Sequence, residues 1–143
     1  MKHILFLCVG NSVRSQMAEG IARSLAPQGV MISSAGSNPS SVHPMAIKVL
    51  AEIGIDISSH RSKHVSEINL SSVDLVVTLC AEEVCPALPF GVSKLHWGFS
   101  DPTATPQDTS QQLEKFRKIR DELKQTISGM AFLCDPKGAG YTL

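Results

Sequence analysis

The sequence has no excess of charge of either sign, because 13 Lys and Arg side chains balance 13 Asp and Glu side chains among 143 residues. A basic field that would release counterions from a nucleic acid backbone is therefore missing, and we expect no DNA or RNA partner. Long apolar runs are missing too, since none approaches the roughly 18 residues of a transmembrane helix. We therefore expect no membrane partner.

A secretory signal is also missing from the start of the chain. The apolar run from Ile4 to Cys8 is short and leads at once into Gly10-Asn11-Ser12, whereas a signal needs a longer apolar core and a small-residue cleavage site. We expect a first β-strand here and a cytoplasmic location. Apolar residues make up 43% and charged residues 18%, without repeats or low-complexity tracts. Residues 1–143 are therefore predicted to form a single globular domain, expected to be a monomer.

The four cysteines are Cys8, Cys80, Cys85 and Cys134. Without a signal they are predicted to be thiols rather than a disulfide framework. Cys80 and Cys85 have poor zinc spacing and no nearby His pair, and the five His residues are scattered packing or surface candidates, so we expect no metal. Cys134 lies in an apolar run, where a buried hydrophobe and a reactive thiol are equally good interpretations.

Apolar periodicity predicts alternating strands and helices. Buried strands are predicted over 2–8, 29–36, 73–79 and 94–97, and helices over 17–25, from Pro44 to Gly54, and from an Asp108 cap to Gly129. Strands that alternate with helices indicate βαβ units and a parallel sheet covered on both faces. The predicted fold class is α/β, a three-layer α/β/α sandwich with a four-stranded parallel sheet.

The loop after the first strand is the strongest candidate site. Five residues separate Cys8, at the carboxyl end of that strand, from Arg14, which precedes a helix. Backbone N–H groups of such a loop can converge on one anion beside a helix N-terminus, and Arg14 adds a fork of donors for a tetrahedral oxyanion. The same field favours a thiolate at Cys8, and Ser15 is able to donate to the sulfur. The predicted oxyanion-binding residues are Val9, Gly10, Asn11, Ser12, Val13, Arg14 and Ser15.

Two other interpretations compete for this loop. A buried cysteine and a helix-capping arginine could share the spacing by chance, but the place between strand and helix, with Gly10 and Asn11 available for unusual backbone angles, favours a nucleophile beneath a bound oxyanion. A glycine-rich nucleotide loop is disfavoured because neither G-x-G-x-x-G nor G-x-x-x-x-G-K-[ST] occurs.

A resemblance to a known family is carried by residues 8–20, 33–36, 55–60, 74–80, 85–86 and 96–102. These segments resemble the low-molecular-weight protein tyrosine phosphatases and, most closely among their relatives, the arsenate reductases that use an intramolecular thiol cascade and thioredoxin. The resemblance covers nearly the whole chain. Its most specific parts are the first loop, the Thr78-Leu79-Cys80 segment and Asp101-Pro102.

The resemblance implies reduction of arsenate to arsenite for arsenic detoxification. Cys8 would attack arsenate held by Arg14 and the loop amides, and Asp101 would protonate the leaving oxygen. Cys80 would then attack Cys8, and Cys85 would attack Cys80, leaving a Cys80–Cys85 disulfide. Thioredoxin or another thiol reductant would recycle it, phosphate or sulfate could occupy the arsenate site, and no metal or organic cofactor is implied.

The extra thiols distinguish the alternatives. A two-electron reduction takes its electrons from a thiol pair, whereas a phosphatase needs one nucleophile and water. The alternative is a phosphatase acting on aryl phosphates through a Cys8 phospho-intermediate, but Thr103 follows Asp101-Pro102 where that branch usually has an aromatic residue. A non-enzymatic redox sensor or oxyanion-binding regulator is disfavoured by the acid Asp101. The Cys80–Cys85 segment is shorter than in the best-known reductase subgroup.

A cation site behind the loop is a further implication of the resemblance. Some thioredoxin-coupled members bind potassium there through Asn, Glu, Ser and Asp oxygens. Asn11, Glu19 and Ser34 match three of these positions, whereas Lys63 stands at the fourth. An ammonium group that replaces the cation and a solvated surface lysine are both open interpretations of Lys63.

Overall fold

The structure is a computed structural model that describes residues 2–80, 93–99, 101–103 and 108–130; Cys85 and Cys134 lie outside the described residues. In chain order the elements are β1 (Lys2–Cys8), α1 (Arg14–Leu25), β2 (Val30–Gly36), α2 (Pro44–Ala51), β3 (Leu75–Thr78), β4 (Lys94–His96) and α3 (Thr109–Ser128). Two short 3₁₀ helices, Val65–Glu67 and Leu70–Ser72, precede β3.

The four strands form one parallel sheet, as predicted, and their order is β2-β1-β3-β4. The central strand β1 pairs with both neighbours, Cys8 opposite Gly36 of β2 and Leu7 opposite Thr78 of β3. The carboxyl ends of these three strands therefore meet at one edge of the sheet. Ligands of open parallel sheets bind at this edge.

Both faces of the sheet are covered. Ile4, Phe6 and Cys8 of β1 belong to the larger buried cluster, which takes side chains from all three α-helices. On the opposite face, Leu5 and Leu7 pack with side chains of the two 3₁₀ helices. This layering confirms the predicted α/β fold. Within the described ranges, no helix combines the length and apolarity needed to cross a bilayer.

Local signals set several element boundaries. α1 begins at Arg14, three residues before the predicted start at Met17. Apolar periodicity does not detect the first turn because that turn is polar, and its residues belong to the candidate site. α3 is capped as predicted, with the Asp108 side chain accepting from the Gln111 backbone N–H at 2.8 Å. α2 has Pro44 at its first position and His43 as its cap.

A close contact fixes α1 against the layer behind it. A Cβ atom added to Gly20 would lie 2.6 Å from Ile57 Cγ2 and 3.0 Å from Leu50 Cδ1, and both side chains are fully buried. Only a residue without a side chain allows this approach. The packing at Gly20 therefore helps to hold the helix whose first turn carries Arg14.

We expect Gly20→Ala to destabilise the protein, although alanine is normally the better helix former. The added methyl group must displace Ile57 and Leu50, which should lower the free energy of unfolding by about 1–3 kcal/mol in chemical denaturation. Gly129→Ala is the matched control, because Gly129 has a right-handed helical backbone and a Cβ there would meet Thr126 O at 3.5 Å, an ordinary contact. Unchanged stability of Gly20→Ala would contradict the tight packing.

Candidate active site

The buried side chain of Asn11 organises the loop after β1. Its backbone has a φ of 46°, in the left-handed region that asparagine tolerates better than most residues. Its Nδ2 donates to Ser15 Oγ at 2.8 Å and to Ser34 Oγ at 3.0 Å. Its Oδ1 accepts from the Lys63 backbone N–H and from Gln16 Nε2, both at 3.0 Å. These bonds tie the loop to α1, to β2 and to the segment before the first 3₁₀ helix.

A second segment, residues 38–43, holds the loop from outside; we call it the strap. Backbone N–H groups of Asn38, Ser40 and His43 donate to the carbonyl oxygens of Val9, Gly10 and Ser12, respectively, over 2.9–3.1 Å. In a trans peptide unit the N–H group lies opposite the carbonyl. Because the strap engages these carbonyls, the amides that follow them in the loop are turned the other way, as an anion cradle requires.

Gly36, at the end of β2, permits the loop to lie against the sheet. A Cβ at this position would lie 2.4 Å from the Val9 carbonyl oxygen and 2.8 Å from that of Cys8. The Gly36 backbone N–H donates to the Lys63 carbonyl at 2.9 Å, which brings the Lys63 segment alongside. Any side chain at Gly36 would therefore push the loop away from the sheet.

Cys8 ends β1 beneath this loop and is only 2% exposed. Its Sγ lies 2.9 Å from Ser15 Oγ, and either atom could be the donor. This is the sulfur–hydroxyl contact expected at Ser15. Since Ser15 Oγ also accepts from Asn11 Nδ2 at 2.8 Å, its own hydrogen is directed to another partner, and the Cys8 sulfur is within reach.

Arg14 connects the loop to two other segments at the same edge of the sheet. Its guanidinium is buried, and Nη1 donates to the Phe99 carbonyl at 3.0 Å and more weakly to the Leu79 carbonyl at 3.5 Å. Its Nη2 lies 3.9 Å from Asp101 Oδ2. Leu79 precedes Cys80, and Phe99 lies shortly before Asp101. Arg14 therefore contacts the segments that carry two other predicted site residues.

A cavity of about 240 Å³ opens over the loop, and its wall combines the loop with the strap and the segment after β4. The predicted residues Cys8, Val9, Gly10, Ser12, Val13, Arg14 and Asp101 line it, together with Ser40, His43 and Thr103. Asn11 and Ser15 are fully buried and lie outside this lining, where they support the loop instead. The predicted nucleophile, arginine and acid thus share one cavity of a size that suits a small oxyanion.

Cys80 follows β3 and is 1% exposed. The Leu79 backbone N–H still donates to the Leu7 carbonyl at 2.9 Å, so the pairing with β1 continues to the residue before Cys80. Cys8 and Cys80 therefore lie at the ends of neighbouring strands and belong to one buried cluster. Neighbouring strands are about 4.8 Å apart.

Behind the loop, Gln16 links Asn11 to His60. Gln16 Nε2 donates to Asn11 Oδ1 at 3.0 Å, and Gln16 Oε1 lies 3.0 Å from His60 Nδ1. Burial lowers the pKa of His60, while the Glu19 carboxylate acts in the opposite direction. His60 Nε2 lies 3.9 Å from Glu19 Oε2. A neutral His60 with its proton on Nδ1 satisfies the Gln16 oxygen.

Glu19 is a buried carboxylate surrounded by positive groups. Arg23 Nη2 lies 2.9 Å from Oε2, and Lys63 Nζ lies 4.0 Å from Oε1. Ser34 Oγ donates to Oε1. Burial lowers the pKa of Lys63, and the Glu19 carboxylate opposes this shift.

The potassium ligands implied by the resemblance do not fit a cation in this chain. Each of the three matching oxygens already accepts from a donor: Asn11 Oδ1 from Gln16 and Lys63, Ser34 Oγ from Asn11, and Glu19 from Ser34. The Lys63 ammonium supplies a positive charge beside them. Among the described residues, no group of three or more His, Cys, Asp and Glu could hold a metal ion.

Several residues of this arrangement carried no site signal in the sequence. The strap, which includes His43, matches no motif. Gln16 and His60 lie within segments that carry the family resemblance, but no individual role is predicted for either, and the histidines are predicted only as packing or surface residues. Their roles depend on contacts between segments far apart in the chain. Pro44, next to His43, is the local signal in this segment, and it predicts a helix start rather than a cavity wall.

Residues 3–136 match the family model described as low molecular weight phosphotyrosine protein phosphatase. An arsenate reductase of Halalkalibacterium halodurans is 43% identical over 132 residues, which cover 91% of this chain and 95% of the relative. An arsenate reductase solved in the phosphate binding state matches with a TM-score of 0.77 and 34% identity, covering 94% of this chain and 98% of that chain.

A thioredoxin-dependent arsenate reductase of Corynebacterium glutamicum also matches, with a TM-score of 0.63 and 29% identity. The match covers 90% of this chain but 62% of that longer chain. These likenesses extend over nearly all of this chain. They therefore concern the whole fold and not the loop alone.

We expect exchange of sodium for potassium at constant ionic strength to leave the melting temperature and the affinity for inorganic phosphate unchanged. The Lys63 ammonium already supplies the positive charge beside Glu19. Lys63→Asp should make both quantities depend on potassium, because it replaces that charge with a carboxylate. Lys48→Asp makes the same charge change on an exposed position of α2 and should not. A potassium-dependent rise in the wild-type melting temperature would contradict this reading of Lys63.

Proposed function

We propose that this chain, which belongs to the low molecular weight phosphotyrosine protein phosphatase family, reduces arsenate to arsenite and so acts in arsenic detoxification. The observation that carries the proposal is a second buried thiol, Cys80, in the same cluster as the candidate nucleophile Cys8. Phosphate ester hydrolysis does not require a second thiol, whereas a two-electron reduction takes its electrons from a thiol pair. The arsenate reductases among its relatives support the same conclusion.

In the first step, the Cys8 thiolate attacks arsenic and forms an S–As bond. Arg14 and the loop amides hold the arsenate oxygens, where their positive field stabilises the negative charge of the transition state. The As–O bond opposite the sulfur breaks, and Asp101 gives its proton to the departing oxygen, which leaves as water. The cavity that Cys8, Arg14 and Asp101 share suits this arrangement. Arsenic is still pentavalent at this stage.

In the second step, the Cys80 thiolate attacks Cys8 Sγ. A Cys8–Cys80 S–S bond forms as the S–As bond breaks, and the bonding electron pair remains on arsenic. Arsenic is thereby reduced from the pentavalent to the trivalent state and leaves as arsenite, while two thiols are oxidised. The neighbouring positions of β1 and β3 support this step because they bring the two cysteines to adjacent strand ends.

In the third step, Cys85 attacks Cys80, frees Cys8 and leaves a Cys80–Cys85 disulfide. A dithiol reductant then takes up the oxidising equivalents by thiol–disulfide exchange. Thioredoxin is the reductant we propose, and the thioredoxin-dependent relative supports it. Thioredoxin would act on the Cys80–Cys85 pair, so that Cys8 remains beneath the oxyanion loop.

Hydrolysis of aryl phosphates is the second candidate function, because the matched family model is that of a phosphotyrosine phosphatase. Phosphate and arsenate share charge and shape, so the same cavity would bind both. The two activities share Cys8, Arg14 and Asp101 and differ in their need for Cys80 and Cys85. This difference separates them experimentally.

We expect Cys8→Ser to abolish both activities, with a loss of at least about 1,000-fold, because a serine hydroxyl stays protonated where a thiolate is needed. Arg14→Lys should reduce them by about 100- to 1,000-fold, since a point charge cannot replace the planar fork of donors. Arsenite formation coupled to thioredoxin, its reductase and NADPH measures the first activity, and p-nitrophenyl phosphate hydrolysis the second. Near-normal rates in either variant would refute the proposed site.

We expect Cys80→Ser and Cys85→Ser to lose multiple-turnover arsenate reduction while p-nitrophenyl phosphate hydrolysis stays within about twofold of the wild type, because both thiols act after the first step. Cys134→Ser is the matched control and should retain both activities. Mass spectrometry of the oxidised wild type should identify a Cys80–Cys85 disulfide. A dominant disulfide that includes Cys134, or sustained reduction without Cys80, would overturn the cascade.

A further inference from the structure

His43 occupies an unusual place at the start of α2. Its backbone N–H donates to the Ser12 carbonyl of the oxyanion loop at 3.1 Å, and its side-chain Nδ1 accepts from the Met45 backbone N–H at 3.1 Å. The ring lies against Phe116 of α3, with centroids 4.9 Å apart. Its orientation is therefore fixed by the loop, by α2 and by α3 together.

The bond from Met45 decides which tautomer His43 adopts. A ring nitrogen that accepts a hydrogen bond carries no proton, so the neutral ring has its proton on Nε2. Protonation of Nδ1 would bring its N–H group to face the Met45 backbone N–H, two donors without an acceptor between them, and would remove the cap of α2. Burial also lowers the pKa of His43, although the Asp101 carboxylate opposes this shift.

His43 is one of the residues that line the oxyanion cavity. The titratable and charged groups that share this wall are Cys8 at the end of β1, Arg14 at the start of α1 and Asp101 in the segment after β4. The contact from α3 is the uncharged ring of Phe116. With Nδ1 occupied by the α2 cap, Nε2–H is the polar group that the ring can present to these neighbours.

The two oxygens of Asp101 have different surroundings. Oδ1 accepts from the Thr103 backbone N–H at 2.8 Å and from Thr103 Oγ1 at 2.7 Å. Oδ2 lies 3.9 Å from Arg14 Nη2. Since Thr103 occupies Oδ1 with two donors, Oδ2 is the oxygen suited to carry the acid proton.

We propose that His43 is a positioning residue of this site, which presents a neutral Nε2–H group to the oxyanion cavity and holds Asp101 in the orientation that its acid role requires. This inference rests on the acid role proposed for Asp101. The neutral state matters because an imidazolium beside Asp101 would stabilise the carboxylate and deprive the leaving oxygen of its proton donor. The cap of α2 thus keeps the histidine in the form that the reaction needs.

The chain contains a matched control for this histidine. His64 caps the first 3₁₀ helix in the same manner, with Nδ1 accepting from the Ser66 backbone N–H at 3.0 Å, but it is exposed and lies outside the cavity lining. Asparagine is a good N-cap, so His43→Asn and His64→Asn both preserve the capping interaction and remove only the ring.

The test measures, in a single turnover, the rate at which Cys8 reacts with arsenate. It compares the wild type with His43→Asn, His64→Asn, Asp101→Asn and the His43→Asn/Asp101→Asn double variant. We expect His43→Asn to lower the maximal rate about fivefold, the effect of one neutral hydrogen bond, with the arsenate concentration at half-maximal rate changed less than twofold. His64→Asn should leave both unchanged. In the Asp101→Asn background, His43→Asn should have no further effect, because residues that act through one another are not additive. An unchanged rate in His43→Asn, or losses that multiply in the double variant, would overturn the proposal.

A measurement without turnover separates this proposal from the proposed function. Nitrogen-15 NMR of the wild type should show the Nε2–H tautomer of His43 at neutral pH. Saturation with inorganic phosphate should raise the pKa of His43, because the bound dianion favours an imidazolium in the same cavity. A proton on Nδ1, or a His43 titration that phosphate does not move, would refute the role of His43 even if arsenate is reduced.

If the wild type forms no arsenite while the NMR results are as expected, the proposed function fails and the placement of His43 stands.

Discussion

The hydrogen bonds of the buried Asn11 side chain are the interaction on which the site depends. One amide group satisfies two donors and two acceptors on four different partners, and it does so from a backbone with a φ of 46°. A carboxylate would offer acceptors only, and an apolar side chain would leave buried partners unsatisfied. The oxyanion loop is therefore held from behind by residues that lie outside the cavity lining, in addition to the strap that holds it from the other side.

Charge behind the loop is balanced by the chain itself. A buried carboxylate such as Glu19 would be costly alone and would oppose an anion bound in front of it. Arg23 and Lys63 offset that charge, and the Ser34 hydroxyl donates to it. The loop can then present its amides and Arg14 to an oxyanion without a net negative field from the layer beneath.

Arg14 links the positions of the groups that the proposed reaction uses. Its contacts with the carbonyls of Phe99 and Leu79 join the segment of Asp101 to that of Cys80, and both meet the loop of Cys8. A shift of the guanidinium toward a bound oxyanion would therefore change its hydrogen bonds with both segments. Positioning and chemistry are coupled here through a single side chain, which is why lysine is a poor substitute.

The order and type of the elements, the parallel sheet and the loop from Cys8 to Arg14 follow from the sequence by itself, because periodicity, capping residues and short-range spacing act locally. The start of α1 is predicted three residues too late, because its first turn consists of polar residues of the candidate site, which apolar periodicity does not detect. Only the tertiary structure decided that His43 shares a cavity with Asp101, that Gln16 reaches His60 and that Lys63 lies beside Glu19. These contacts depend on the register of β2 against β1 and on the packing of α2 against α3. Local sequence patterns do not predict these contacts, because the two residues of each pair are far apart in the chain and meet only when the chain has folded.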